Sequence, residues 1–80
     1  MERKPGVISQ EIEDGLILYD PDSDQAFVLN RTGALAWANA EKGEGEIAGM
    51  IASEFQVSAE QALSDVREFI TELKNRGLLR

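Results

Sequence analysis

Asp20, Asp22 and Asp24 stand at alternate positions of a short polar stretch, and carboxylate oxygens at that spacing can converge on one hard cation, as in the first half of a calcium-binding loop. The rest of such a loop is missing. Its sixth position holds Gln25 where a sharp turn needs Gly, and its twelfth holds Arg31 where a bidentate Glu should close the shell. The three aspartates therefore read as a solvated turn. The chain contains neither Cys nor His, which removes thiolate metal sites, disulfides and the commonest general base, so no metal and no cofactor is expected. Paired catalytic carboxylates would need a cleft that 80 residues can hardly build, and the reading is of a protein that is not an enzyme.

Two serines test a carrier role. An acyl-carrier-like protein needs a Ser at the start of a helix, within an Asp-Ser-Leu sequence, to hold its phosphopantetheine arm. Ser23 instead lies in Asp22-Ser23-Asp24 before a strand, and Ser64 lies inside a helix before Asp65. A formal net charge of −7 opposes nucleic acid and anionic membranes as partners, because both demand clustered Lys and Arg. No apolar run is long enough to cross a bilayer, and Met1-Glu2-Arg3-Lys4-Pro5 lacks the apolar stretch of a signal peptide, so a cytoplasmic location is expected.

The elements that position these residues follow from hydrophobic period. Strands are expected at about 7–13 and 15–20, with Asp14-Gly15 as a hairpin signal, and a third at Gln25-Ala26-Phe27-Val28-Leu29 after the turn residues Pro21 to Asp24. Near Asn30 the period becomes helical. Asn30 or Thr32 can cap a helix carrying Ala34, Leu35, Trp37 and Ala38, with Gly43 marking its end. A second helix is expected from about Glu44 to Phe55, with Ile47, Met50, Ile51 and Phe55 on one face. Ser58-Ala59-Glu60-Gln61 reads as a capping box, with Val57 as a staple to Ala62. It opens a third helix to about Arg76, whose apolar stripe is Ala62, Leu63, Val66, Phe69, Ile70 and Leu73. Gly77 stops it, and Leu78 or Leu79 can fold back as in a Schellman motif.

The fold expected is α+β and winged-helix-like: a three-stranded antiparallel meander followed by three helices, βββααα, as one domain over residues 1–80. Its core is expected from Ile12, Leu18, Phe27, Leu29, Leu35, Trp37, Ile51, Phe55, Val66, Phe69 and Leu73. A DNA-reading winged helix would need a basic recognition helix, whereas the second helix offers Glu44, Glu46, Ser53 and Glu54. Trp37, the single Trp, reads as core in preference to ligand stacking.

Leu29-Asn30-Arg31-Thr32-Gly33-Ala34-Leu35-Ala36-Trp37 resembles the strand-to-helix junction of PqqD-like proteins, with its Leu-Asn pair, Thr-Gly step and aromatic. Gly15 to Asp20 is similar to their second strand, Glu46 through Phe55 to their second helix, and Asp65-Val66, Phe69, Leu73 and Gly77-Leu78-Leu79 to their third. Tyr19-Asp20-Pro21-Asp22-Ser23 departs from the Tyr-Pro-Glu-Gly-like turn of the quinone-cofactor pathway protein itself, so the role carries over without the pathway.

The resemblance implies a RiPP recognition element, a peptide chaperone that binds the leader segment of a ribosomally made precursor peptide, as in lasso-peptide or PQQ-like pathways. Its implied partners are that precursor and a maturation enzyme such as a leader peptidase, a cyclase or a radical SAM enzyme. The leader would add as an antiparallel strand along Gln25, Ala26, Phe27, Val28 and Leu29, against the third helix at Asp65, Phe69, Glu72, Leu73 and Arg76. On a wheel of about 100° per residue, Asp65, Phe69, Glu72 and Arg76 share one margin of the apolar stripe. The other margin, near Leu63, Arg67 and Lys74, is the competing wall. A structural adaptor that stabilises a partner enzyme through the same edge is the alternative role, and an acyl-carrier-like protein the more distant one.

Overall fold

A computed structural model describes residues 1–80 and has the element order β1 (Ile8–Ile12), β2 (Gly15–Asp20), β3 (Gln25–Asn30), α1 (Arg31–Ala38), α2 (Glu44–Phe55) and α3 (Ala59–Asn75). The strands form one antiparallel sheet in the order β1-β2-β3, so β1 and β3 are both edges. This is the α+β arrangement expected, three strands followed by three helices.

Register assigns the faces. Glu11, Leu16 and Leu29 stand opposite one another, as do Ser9, Leu18 and Phe27. Directly paired residues project to one side of a sheet. That side is the inner one, because Leu16, Leu18 and Leu29 are buried. The outer side carries Ile8, Tyr19 and Ala26, then Gln10, Ile17 and Val28, then Ile12, Gly15 and Asn30. Ile12 therefore does not belong to the core: it faces outward, opposite a glycine that offers it no side chain, and is 38% exposed.

The β1–β2 connection differs from the turn the sequence suggests. Ile12 pairs with Gly15, which makes Glu13 and Asp14 the loop residues, and neither has the positive φ that a primed turn requires. Gly15 is instead demanded by packing: a Cβ there would lie 1.9 Å from the carbonyl oxygen of Leu29. Gly43 likewise has another role. α1 ends at Ala38, where Asn39 closes it by donating from Nδ2 to the Leu35 carbonyl at 2.9 Å, and Gly43 is the N-cap of α2.

Asn30 caps α1, its Oδ1 accepting from the Gly33 N–H at 2.8 Å. The capping box of α3 is half formed. Ser58 Oγ accepts from the Gln61 N–H at 3.1 Å, but the Gln61 side chain turns forward and donates to Asp65. At the other end Gly77, with φ 75°, permits a Schellman closure in which the Leu78 N–H reaches the Leu73 carbonyl at 2.9 Å and the Gly77 N–H reaches that of Lys74 at 3.0 Å.

Leu18, Trp37, Leu29, Ile51, Val66 and Leu73 are buried as expected, while Phe27, Leu35, Phe55 and Phe69 pack against the core half-buried. The core also takes Leu16, Ile47, Ile70, Leu78 and Leu79 and four alanines, Ala36, Ala40, Ala48 and Ala62. Leu79 is buried because the chain ends meet: Glu2 and Arg80 exchange backbone hydrogen bonds of 3.0 and 2.9 Å, and the Lys4 N–H donates to the Leu78 carbonyl at 2.9 Å. No helix is long and apolar enough to cross a membrane.

Candidate peptide-binding groove

The free edge of β3 and one flank of α3 enclose a groove of about 370 Å³. It is lined by Ala26, Phe27, Val28, Leu29 and Asn30 from the strand and by Phe69, Glu72, Leu73 and Arg76 from the helix. Spacing explains the helical wall, since residues three and four apart share a face. The inward tilt of Phe27 and Leu29 supplies an apolar floor, and Val28, on the outer face, is 72% exposed at the rim.

Arg76 shapes one end of the groove. Its guanidinium lies over the Phe27 ring at 4.8 Å from the centroid, and its Nη2 donates to Glu72 Oε1 at 2.9 Å. The ring face attracts the cation, and the carboxylate fixes its orientation. At the opposite end a smaller depression of about 210 Å³ continues the groove beneath the start of α1, sharing Asn30, Phe69 and Glu72 with it and adding Thr32, Gly33, Asp65 and Glu68. Gly33 matters there because a Cβ on it would come within 2.9 Å of Phe69 Cε1, so the glycine leaves the ring room to lie between helix and strand.

Of the residues assigned to the site from sequence, Ala26, Phe27, Val28, Leu29, Phe69, Glu72, Leu73 and Arg76 come together in one groove. Asp65 falls in the adjoining depression, and Gln25 lines neither, standing at the far end of β3 opposite Asp20. Asn30 is the addition. Sequence identified it as a cap, but the strand end it occupies also makes it a lining residue of both hollows. The competing margin turns elsewhere, with Arg67 Nε donating to Glu44 of α2 at 3.3 Å. The flank of α3 that faces β3 is therefore the one bearing Phe69, Glu72 and Arg76.

The acidic turn is occupied by the protein's own groups. Asp20, 3% exposed, receives Lys4 Nζ at 2.9 Å, the Asp22 N–H at 3.1 Å and the Ser23 hydroxyl at 3.2 Å. Asp24 accepts from the Tyr19 hydroxyl, and Lys4 also reaches Asp22 at 3.2 Å. The Lys4 ammonium, chiefly, holds the Asp20 carboxyl below the usual carboxylate range, and the same hydrogen bond raises Lys4. The Asp24 contact raises the Tyr19 phenol by stabilising its protonated form.

A comparison with curated proteins found no match. Among solved structures the chain is similar to TbiB1 in complex with the TbiA(beta) leader peptide, at 28% identity and a TM-score of 0.88 over 100% of this chain and 95% of that one. It is also similar to lasso peptide synthetase B1 complexed with the leader peptide, at 25% identity and a TM-score of 0.86 over 99% of this chain and 95% of that one. Residues 15–79 match the family described as coenzyme PQQ synthesis protein D, and the chain belongs to this PqqD family.

Proposed function

We propose that this protein binds the leader segment of a ribosomally synthesised precursor peptide by strand addition to β3 and presents it to a separate maturation enzyme, itself performing no chemistry. The observation that carries this reading is the groove between the free β3 edge and α3, in a chain that aligns along its whole length with two proteins solved with leader peptides. An edge strand offers unpaired N–H and C=O groups to an extended peptide, which gives affinity for any sequence. Selectivity then comes from alternate peptide side chains dropping onto Phe27, Leu29, Phe69 and Leu73, with Glu72 and Arg76 on the wall. The proposed contacts are Gln25 to Leu29 and Asp65, Phe69, Glu72, Leu73 and Arg76, with Asn30 added. The proposed compartment is the cytoplasm, where a ribosomal precursor is made, and the enzyme served is a leader peptidase, a cyclase or a radical SAM enzyme.

The test is a titration of ¹⁵N-labelled protein with its cognate leader peptide. Shifted amides should run along Ala26 to Asn30 and Phe69 to Arg76. Shifts confined to α2 or to the Glu13-Asp14 loop would reject this binding mode.

A further inference from the structure

The depression beneath the start of α1 differs in charge from the groove it continues. Asp65, Glu68 and Glu72 all line it, and no cation does. The neighbouring cations are committed elsewhere: Arg76 holds Glu72 from the groove side, Arg67 turns to Glu44, and Arg31 lies over the Phe55 ring. Glu68 has no ion-pair partner. Asp65, half-buried, accepts only from the neutral Gln61 amide at 2.8 Å. Beneath these carboxylates the floor is apolar, made by Ala36, Ile51, Val66 and Phe69.

We propose that this depression holds the side chain of a Lys or Arg in the N-terminal part of the leader, so that Asp65 and Glu68 determine which leaders are accepted. The inference rests on the leader-binding reading and deepens it. Strand geometry brings a side chain to this place. A leader residue directly opposite Leu29 shares its face and points toward α3, and the next to do so lies two places away along the leader. In an antiparallel strand, moving past Asn30 toward α1 means moving toward the leader's N-terminus. The leader residue two places before the one opposite Leu29 therefore projects where β3 gives way to α1, at the mouth of the depression.

The lining selects the class of side chain. A long aliphatic stem covers the apolar floor while its charged head stays at the rim among the carboxylates. An apolar side chain would desolvate Asp65 with no opposite charge in return, and an acidic one would meet three like charges. A net charge of −7 adds long-range attraction for the cation.

The experiment uses the full chain and its cognate leader, fluorescently labelled, at low and high salt. Asp65→Asn combined with Glu68→Gln should weaken binding about tenfold at low salt, and by less as salt screens the charges. Replacing each Lys and Arg of the leader by Gln in turn should reveal one position whose loss matches that factor in the parent protein and costs nothing further in the doubly neutralised one. Glu46→Gln with Glu54→Gln removes the same two charges from α2, outside both hollows, and should stay within about twofold. Melting curves identify any variant that fails to fold, and the exposed Glu68→Gln alone, expected to cost about threefold, is the second variant. Failure of the parent protein to bind its leader would reject the leader-binding reading, and this subsite with it. Binding by the parent that is unchanged in Asp65→Asn with Glu68→Gln, an equal loss in the α2 control, or a leader with no basic residue N-terminal to the segment on β3 would overturn the subsite alone.

Discussion

The Cα of Gly15 faces the Leu29 carbonyl so closely that an added Cβ would stand 1.9 Å from its oxygen. Both atoms belong to paired strands whose register is fixed by Leu16 and Leu18 in the core, so neither strand can yield without moving buried side chains. Gly15→Ala should therefore destabilise the protein by about 2 kcal/mol, in the range of overpacked sites, and lower Tm by about 8–16 °C. Gly49 is the contrast. It lies exposed within α2 with nothing within 4 Å of an added Cβ, and Gly49→Ala should raise stability by about 1 kcal/mol through helix propensity. Thermal melts of the two variants should move in opposite directions, and equal shifts would refute the packing role given to Gly15.

Lys4 and Asp20 make stability depend on pH at both extremes. The native Asp20 carboxyl is depressed, so the folded state binds fewer protons than the unfolded chain on the acid side. Its contribution is complete above about pH 5 and is lost as the pH falls through the depressed native value. Lys4 is raised, so its contribution is complete below its ordinary value of about 10.4 and is lost as the pH rises through the native one. Asp20→Asn should flatten the acid limb of a urea-midpoint profile and, by removing the main partner of Lys4, weaken the alkaline limb, which the Lys4–Asp22 pair and the Tyr19–Asp24 hydrogen bond still support. An unchanged acid limb in Asp20→Asn would show that other carboxylates set it.

Ser58 and Asn30 are both side-chain caps, accepting from Gln61 and Gly33 respectively. Replacing either with Ala should cost about 1 kcal/mol. Only Asn30 lines the groove, so Asn30→Ala should also weaken leader binding, and Ser58→Ala should leave it within about twofold, as expected of a site away from the interface. Calorimetric titration beside thermal melts separates the two effects. Equal affinities for the two variants would place Asn30 outside the binding surface.

Periodicity made most of this fold legible. The helical stripe of α3, the Asn30 cap and the Gly77 stop are local signals, and each appears where its own residues place it. What stayed hidden was set by distant partners. Asp14-Gly15 carries a hairpin signature, yet the glycine answers to Leu29 across the sheet. Ile12 looks like core until register turns it outward, and Leu79 is buried by pairing with Arg3 at the other end of the chain. The groove was legible only in part: the family resemblance pointed to the third strand and the third helix, a wheel showed which α3 residues share a margin but left two margins open, and the structure separates them, with Arg67 turned to Glu44 of α2.

Arg76 and Arg67 test that separation directly, because they differ in little except the flank they occupy. Each is a surface Arg of the α3 region in one ion pair, Arg76 with Glu72 at 2.9 Å and Arg67 with Glu44 at 3.3 Å, and pairs so exposed contribute only about 0–1 kcal/mol to stability. Alanine at either position should thus leave Tm nearly unchanged. Arg76, however, lays its guanidinium over Phe27 and its stem along the groove wall, so Arg76→Ala opens that end of the groove and frees Glu72 from its partner. Leader affinity should fall by about tenfold, the cost of about 1.4 kcal/mol of lost contact at an interface anchor. Arg67→Ala should stay within about twofold of the parent, the change expected from a residue outside the interface. Fluorescence anisotropy with a labelled leader measures both. A loss confined to Arg67→Ala would move the binding surface to the α2 flank of α3, and equal losses would mean that overall charge, rather than the β3–α3 groove, governs the affinity.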